Sequence, residues 1–146
     1  MVLLIDTNIL LDILQYRMPF YDASKKVIDL CGRREADGHI ALHSVSNIYF
    51  ILRKQYSSEE RRMLLEGILK VLRVCGAEHE KVVNALKRKD FTDFEDCLQD
   101  ECAASINASY IITRNISDFK NSKVKAVTPE QFLDITMWNL KNRNVS

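Results

Sequence analysis

The sequence predicts an α/β fold with a mostly parallel sheet covered on both faces. Two observations carry this: short aliphatic runs recur along the chain, and stretches with helical spacing of apolar residues separate them. A third concerns function. Polar and acidic residues stand where the aliphatic runs end, and in open parallel sheets ligands bind beyond the carboxyl ends of the strands.

In chain order, "VLLID" reads as a fully buried strand whose last residue is Asp6, and "TNILLDILQYR" as the helix after it. "YDASKKVIDLCGRREA" is a second helix, with Ala23, Val27, Leu30 and Cys31 at helical spacing and Gly38 marking the exit. "HIALHS" is a short strand ending at Ser44, where "SVSNIYFILRK" begins a helix with apolar surface from Ile48, Phe50, Ile51 and Leu52. "SSEERRMLLEGILKVLRVCGA" opens with serine caps and early glutamates, continues helically, and passes into a strand around Arg73 to Cys75 before Gly76 breaks it. Helices follow over "EHEKVVNALKR" and "DFEDCLQDECAASINA", the latter turning Phe94, Cys97 and Leu98 to one side. "SYIITRN" is another buried strand, ending near Thr113, and "VKAV" is a short one. The last helix has the best-marked start: Thr128 caps it, Pro129 takes its first position and Gln131 its third.

A chain of 146 residues, 47% hydrophobic and 28% charged, suffices for one domain with one sizeable core, so residues 1–146 are expected to fold as a single unit. With four glycines and two prolines there is little room for linkers. The aliphatic start lacks a basic flank and is stopped at once by Asp6, which fits neither a signal peptide nor a membrane span. Cys31, Cys75, Cys97 and Cys102 form no CxxC pair, so reduced thiols in a cytoplasmic protein are expected in place of disulfides or a zinc site. A net charge of +1 predicts no strong overall pull on nucleic acid, although basic runs recur, as at Arg61-Arg62 and Lys87-Arg88-Lys89. Any one such run reads first as a solvated helix face.

The acids carry the functional argument. Asp6 closes the first strand, Asn47 falls in the first turn after the second, and Asn115 and Asp118 follow "YIIT". If the helix starting at "DFED" points its N-terminus to the same edge, Asp93 and Asp96 join them. Converging carboxylates repel one another, so such a pocket is stable when a cation or protons neutralise it. Oxygen-only ligation favours Mg²⁺ or Mn²⁺, which keeps waters and takes further ligands from substrate phosphate. Phosphodiester hydrolysis follows from that chemistry.

Each residue also has a structural reading. Asp6 is an ordinary N-cap, Asp93 and Asp96 suit the dipole of their own helix, Asn47 stands at a capping-box distance from Ser44, and Asp118 suits an Asx-turn. Asp90, Asp100 and Glu101 read as surface charges, and His39, His43 and His79 as structural or exposed. No Gly-rich nucleotide loop is present in the sequence.

"LLIDTNILLDIL", "SVSNIYFILRK", "DFEDCLQDECA" and "YIITRNISDF" together resemble PIN domains, in the order typical of that family and across essentially the whole chain. The resemblance implies a three-layer α/β/α sandwich and a Mg²⁺- or Mn²⁺-dependent endoribonuclease. It also implies an antitoxin partner, as in VapBC-type toxin-antitoxin pairs, and is compatible with a homodimer. By motif, Asp6 matches the first metal-binding acid, Asp96 the third, and Asp118 an acid near the fourth position. Asn8 and Thr113 resemble polar residues that orient the site, and Arg114 is assigned to the RNA backbone.

Two positions depart from the family pattern: Asn47 stands where Glu or Asp is usual, and Asn115 where many members have Asp. An amide oxygen ligates a hard ion without bringing charge, and a unit charge about 4 Å away is worth roughly 4 kcal/mol per unit of ion charge at an effective dielectric near 20. Asp93 or Asp118 is the expected compensation. The rival reading is a catalytically weakened PIN-like module that binds RNA or protein. A phosphatase or phospho-receiver built on Asp6 is a more distant rival, weakened by Asn8 where a second acid is usual.

Overall fold

The computed structural model of the chain describes residues 1–144, and at its centre lies β1 (Val2–Ile5). In chain order there follow α1 (Thr7–Leu14), α2 (Tyr21–Gly32), β2 (Asp37–Ala41), α3 (Leu42–Ile51), α4 (Ser58–Leu69), β3 (Arg73–Cys75) and α5 (His79–Lys87). Then come α6 (Phe94–Ser105), β4 (Tyr110–Ile112), a 3₁₀ turn (Ile116–Phe119), β5 (Ala126–Val127) and α7 (Pro129–Arg143). The strands form one five-stranded sheet in the order β3-β2-β1-β4-β5. Every pairing is parallel, with Leu3 opposite Gly38 on one side and Tyr110 on the other.

Alternation along the strands divides the core in two. Leu3, Ile5, Ile40 and Ile112 face one cluster, completed by Ile9 and Leu10 of α1, Val27 of α2, Ile48 of α3, Leu65 of α4 and Phe132 of α7. Leu4, Ala41 and Ile111 face the other, with Cys102 and Ala103 of α6 and Phe119. Both faces of the sheet are therefore covered, the α/β/α sandwich that the resemblance implies. All four cysteines are buried and free.

The sheet order places a switch point beside β1. The chain builds β2 and β3 on one side, then returns to place β4 on the other, and the Asp6 N–H donates to Ile112 O at 2.9 Å across that junction. A crevice beyond the strand ends is expected there. Capping chemistry fixes the helices that border it: Asp6 caps α1, Asp93 caps α6, and full capping boxes open α4 (Ser57, Glu60) and α7 (Thr128, Gln131).

Several local expectations are corrected. β2 ends at Ala41, so Ser44 lies inside α3, fully buried, and caps nothing. Asn47 is consequently mid-helix, not in a first turn. Gly38 belongs to β2: an added Cβ would lie 2.5 Å from Leu72 Cδ2 and 2.7 Å from Cys31 Sγ, so the position requires a residue with no side chain. α1 stops at Leu14, short of Arg17, and Tyr16 then turns the chain with φ 51°. Phe94 is exposed, because it occupies the first residue of α6 before the helix meets the core. Asp100 and Glu101 are fully buried rather than surface charges. Arg88, from what looked like a solvated basic run, bonds both at 2.7 and 3.1 Å, and Lys123 Nζ reaches Glu101 at 2.8 Å.

Candidate active site

Asp6 leaves the end of β1 and caps α1, its Oδ1 accepting the Thr7 N–H at 2.7 Å. Its Oδ2 accepts the Thr113 hydroxyl, from the end of β4, at 2.7 Å. Gln99 of α6 donates through Nε2 to Asp6 Oδ1 at 3.2 Å and to Ser44 Oγ at 2.9 Å, and the Thr7 hydroxyl donates to Ser44 at 2.7 Å. Elements around β1, β4, α3 and α6 thus fix one carboxylate in one orientation. Thr113 Oγ1 also accepts the Asn115 N–H at 3.1 Å, which ties the following loop to the same point.

The first turn of α6 faces this carboxylate. Asp93 accepts the Asp96 N–H at 3.1 Å, and Asp6, Asn8, Asn47, Asp93, Asp96, Asn115 and Asp118 share the wall of one cavity of about 270 Å³ with Glu95 and Gln99. Burial, then the charges of Asp93, Asp6, Asp118 and Glu95, push the Asp96 carboxyl up to about 7. Burial also raises Asp6, against the Thr113 and Thr7 hydrogen bonds; Asp118 adds to the rise and Arg114 subtracts from it. The acids therefore sense one another across the cavity, and a cation or protons must offset them.

The donor set suits a hard divalent ion. All the side chains on the polar wall offer oxygen, and two amide oxygens there, Asn8 Oδ1 and Gln99 Oε1, are buried without a hydrogen-bond partner. Among the described residues no three His, Cys, Asp or Glu side chains stand close enough to hold an ion by themselves. Amide oxygens, water or substrate must complete any such shell.

A PIN domain family model matches residues 2–117, most of the chain. The chain belongs to the PIN domain family. PIN domains are generally nucleases that use divalent ions. Solved structures agree on the fold. VapBC2 from Rickettsia felis, bound to a promoter DNA fragment, is similar at 17% identity and a TM-score of 0.65, with 88% of this chain and 98% of that one covered. A toxin-antitoxin complex from Klebsiella pneumoniae gives 21% identity and a TM-score of 0.66, covering 86% and 96%. VapBC-1 from nontypeable Haemophilus influenzae gives 17% and 0.64, covering 89% and 99%. No curated protein matches the sequence.

Within this PIN domain, Arg114 stands apart from the cavity wall. Its Nε donates to Asp12 Oδ2 at 2.7 Å and its guanidinium carbon lies 4.2 Å over the Phe20 ring. Sequence reasoning missed Glu95, whose Oε2 accepts the Asn47 amide at 3.2 Å, and it missed Gln99 and the fully buried Asp12. A signal existed for Asp12, an acid inside the apolar run "ILLDIL", since buried carboxylates need partners. Glu95 and Gln99 lay within the motif already singled out, but which of its polar residues face Asp6 depends on the helix phase. Among the described residues no helix is long and apolar enough to cross a membrane.

Proposed function

We propose that this PIN domain is a Mg²⁺- or Mn²⁺-dependent endoribonuclease, the toxin half of a toxin-antitoxin pair in the cytoplasm. The carrying observation is the single cavity on whose wall Asp6, Asp93, Glu95, Asp96 and Asp118 gather, where burial and then the neighbouring acids raise the Asp96 carboxyl. Asp6, Asp96 and Asp118 would hold the ion, with Asn47 and Asn115 completing its shell. A bound ion supplies a water of lowered pKa and offsets charge on the phosphoryl oxygens. Thr113 and Gln99 hold the Asp6 carboxylate in one orientation, and Asp93 holds the first turn of α6. Glu95, bonded to Asn47, brings the charge that Asn47 lacks, which favours an active enzyme over a binding module.

The toxin assignment draws support from the similar solved folds, which are toxin-antitoxin complexes. An antitoxin segment bordering the acidic cavity would offer an Arg in place of the cation. A second copy of the chain is a further expected partner. The test is labelled single-stranded RNA with Mn²⁺, run beside EDTA and the Asp6→Asn variant. Cleavage is expected in the first reaction alone, and cleavage that survives both controls overturns the assignment. Co-purification of a small inhibitor encoded beside the gene tests the toxin role.

A further inference from the structure

Asp12 is a fully buried carboxylate that the proposed chemistry does not use. It lies on α1 and takes the Arg114 Nε–H at 2.7 Å, while Arg17, itself half exposed, approaches only to 3.9 Å. Arg114 follows Thr113 and precedes Asn115, the first bonded to Asp6 and the second on the cavity wall. Its guanidinium carbon lies 4.2 Å from the centre of the Phe20 ring. The side chain keeps 24% of its surface exposed, and neither terminal nitrogen has a hydrogen-bond partner among the described residues. One edge of the fork is thus anchored and the other is open.

An open guanidinium edge matches two oxygens of a phosphodiester, and a fork held by one carboxylate and one ring gives up little rotamer freedom on binding. Its charge already acts on Asp6, so the phosphate it serves is one near the cleavage point. We propose that Asp12 is a positioning residue that holds Arg114 to grip a backbone phosphate of single-stranded RNA flanking the scissile one. This rests on the ribonuclease reading above. The adjacency to Asp6 favours RNA phosphate over an acidic segment of a protein partner.

The test uses the full chain and single-stranded RNA in EDTA, where no cleavage is expected, titrated at several salt concentrations. Asp12→Asn/Arg114→Gln replaces the ion pair by a neutral pair of similar shape; Asp12→Asn alone and Arg114→Lys guard against a misfolded double variant, with folding checked by thermal unfolding. Expected are roughly tenfold weaker RNA binding for the double variant and a salt slope lower by about one, with Mn²⁺ binding no weaker than in wild type. With Mn²⁺ in place of EDTA, KM rises while kcat stays near wild type. Arg114→Lys, a point charge without the fork, falls between the two. Unchanged RNA affinity and salt slope in folded variants overturn the proposal, as does loss of Mn²⁺ binding in step with RNA binding, which makes the pair a prop for the acidic cavity. Unchanged RNA binding with lost binding of a co-purified inhibitor assigns the open edge to protein instead. Wild-type protein that cuts RNA while these variants bind it normally separates failure here from failure of the ribonuclease reading.

Discussion

The Asn47 side-chain amide donates to Glu95 Oε2 at 3.2 Å, joining the middle of α3 to the first turn of α6. The bond sets a neutral residue of one helix beside a charged residue of the other on the wall shared with Asp6 and Asp96. The charge at this corner is therefore carried by α6, and Asn47 helps to hold it there.

Glu95→Gln should weaken Mn²⁺ binding about tenfold, since a unit charge is lost from a cavity that is only partly screened. Asn47→Ala leaves that charge in place and should cost less. Calorimetry with Mn²⁺ checks the ranking, and an Asn47→Ala loss larger than that of Glu95→Gln would show that the amide oxygen matters more than the acid.

Asp96 gives a pH signature in protein stripped of divalent ions. Its carboxyl is raised from 3.8 to about 7, so between those values the folded chain binds a proton that the unfolded chain releases, and stability falls as pH rises through the window. Asp96→Asn should flatten that slope, leaving the part that the raised Asp6 carboxyl contributes. Because the side chain is only half buried, the variant should be more stable than wild type at pH 8 by about 1–2 kcal/mol, well below the full shift. Urea unfolding in EDTA at pH 5 and pH 8 tests this, and equal slopes for the two proteins would sink it.

How far the sequence could be read follows from the range of each determinant. Asp6, Asp118 and the α7 cap were legible because a strand end or a cap signal sits within a few residues of each. Asp100 and Glu101 were misread as surface charges, the usual fate of acids. Their partners Arg88 and Lys123 lie 12 and 22 residues away, at distances that no local pattern registers. The corner at Asn47 was misread for a related reason, as β2 gives way to α3 three residues before Ser44 and moves Asn47 round the helix onto Glu95.

Arg88→Met should destabilise the fold by about 3–5 kcal/mol, because it strips a guanidinium from two fully buried carboxylates. Burial pushes the Glu101 carboxyl up, yet the bonds from Lys123 and Arg88 outweigh it and leave it below its ordinary value. In wild type that stabilisation is present above about pH 4.5 and is lost as pH falls through the lowered value. The variant should lose less stability on acidification than wild type does. Denaturant midpoints at pH 7 and pH 3.5 decide it.

Thr113 is fully buried, and its hydroxyl serves two masters: it donates to Asp6 Oδ2 at 2.7 Å and accepts the Asn115 N–H at 3.1 Å. Thr113→Val keeps the shape and removes both bonds. Burial then acts on Asp6 with one less hydrogen bond against it, so its carboxyl rises further, and a group that must be ionised to hold a cation ionises at higher pH. The acid limb of the cleavage profile should move upward and Mn²⁺ affinity at pH 7 should drop roughly ten- to a hundredfold, the usual cost of losing a partner that orients a ligand. Thr113→Ser retains the hydroxyl and should stay within about fivefold of wild type, since only a methyl contact is lost. Thr113→Val near wild type with Thr113→Ser impaired would mean that the methyl group, not the hydroxyl, is what the site needs from this position.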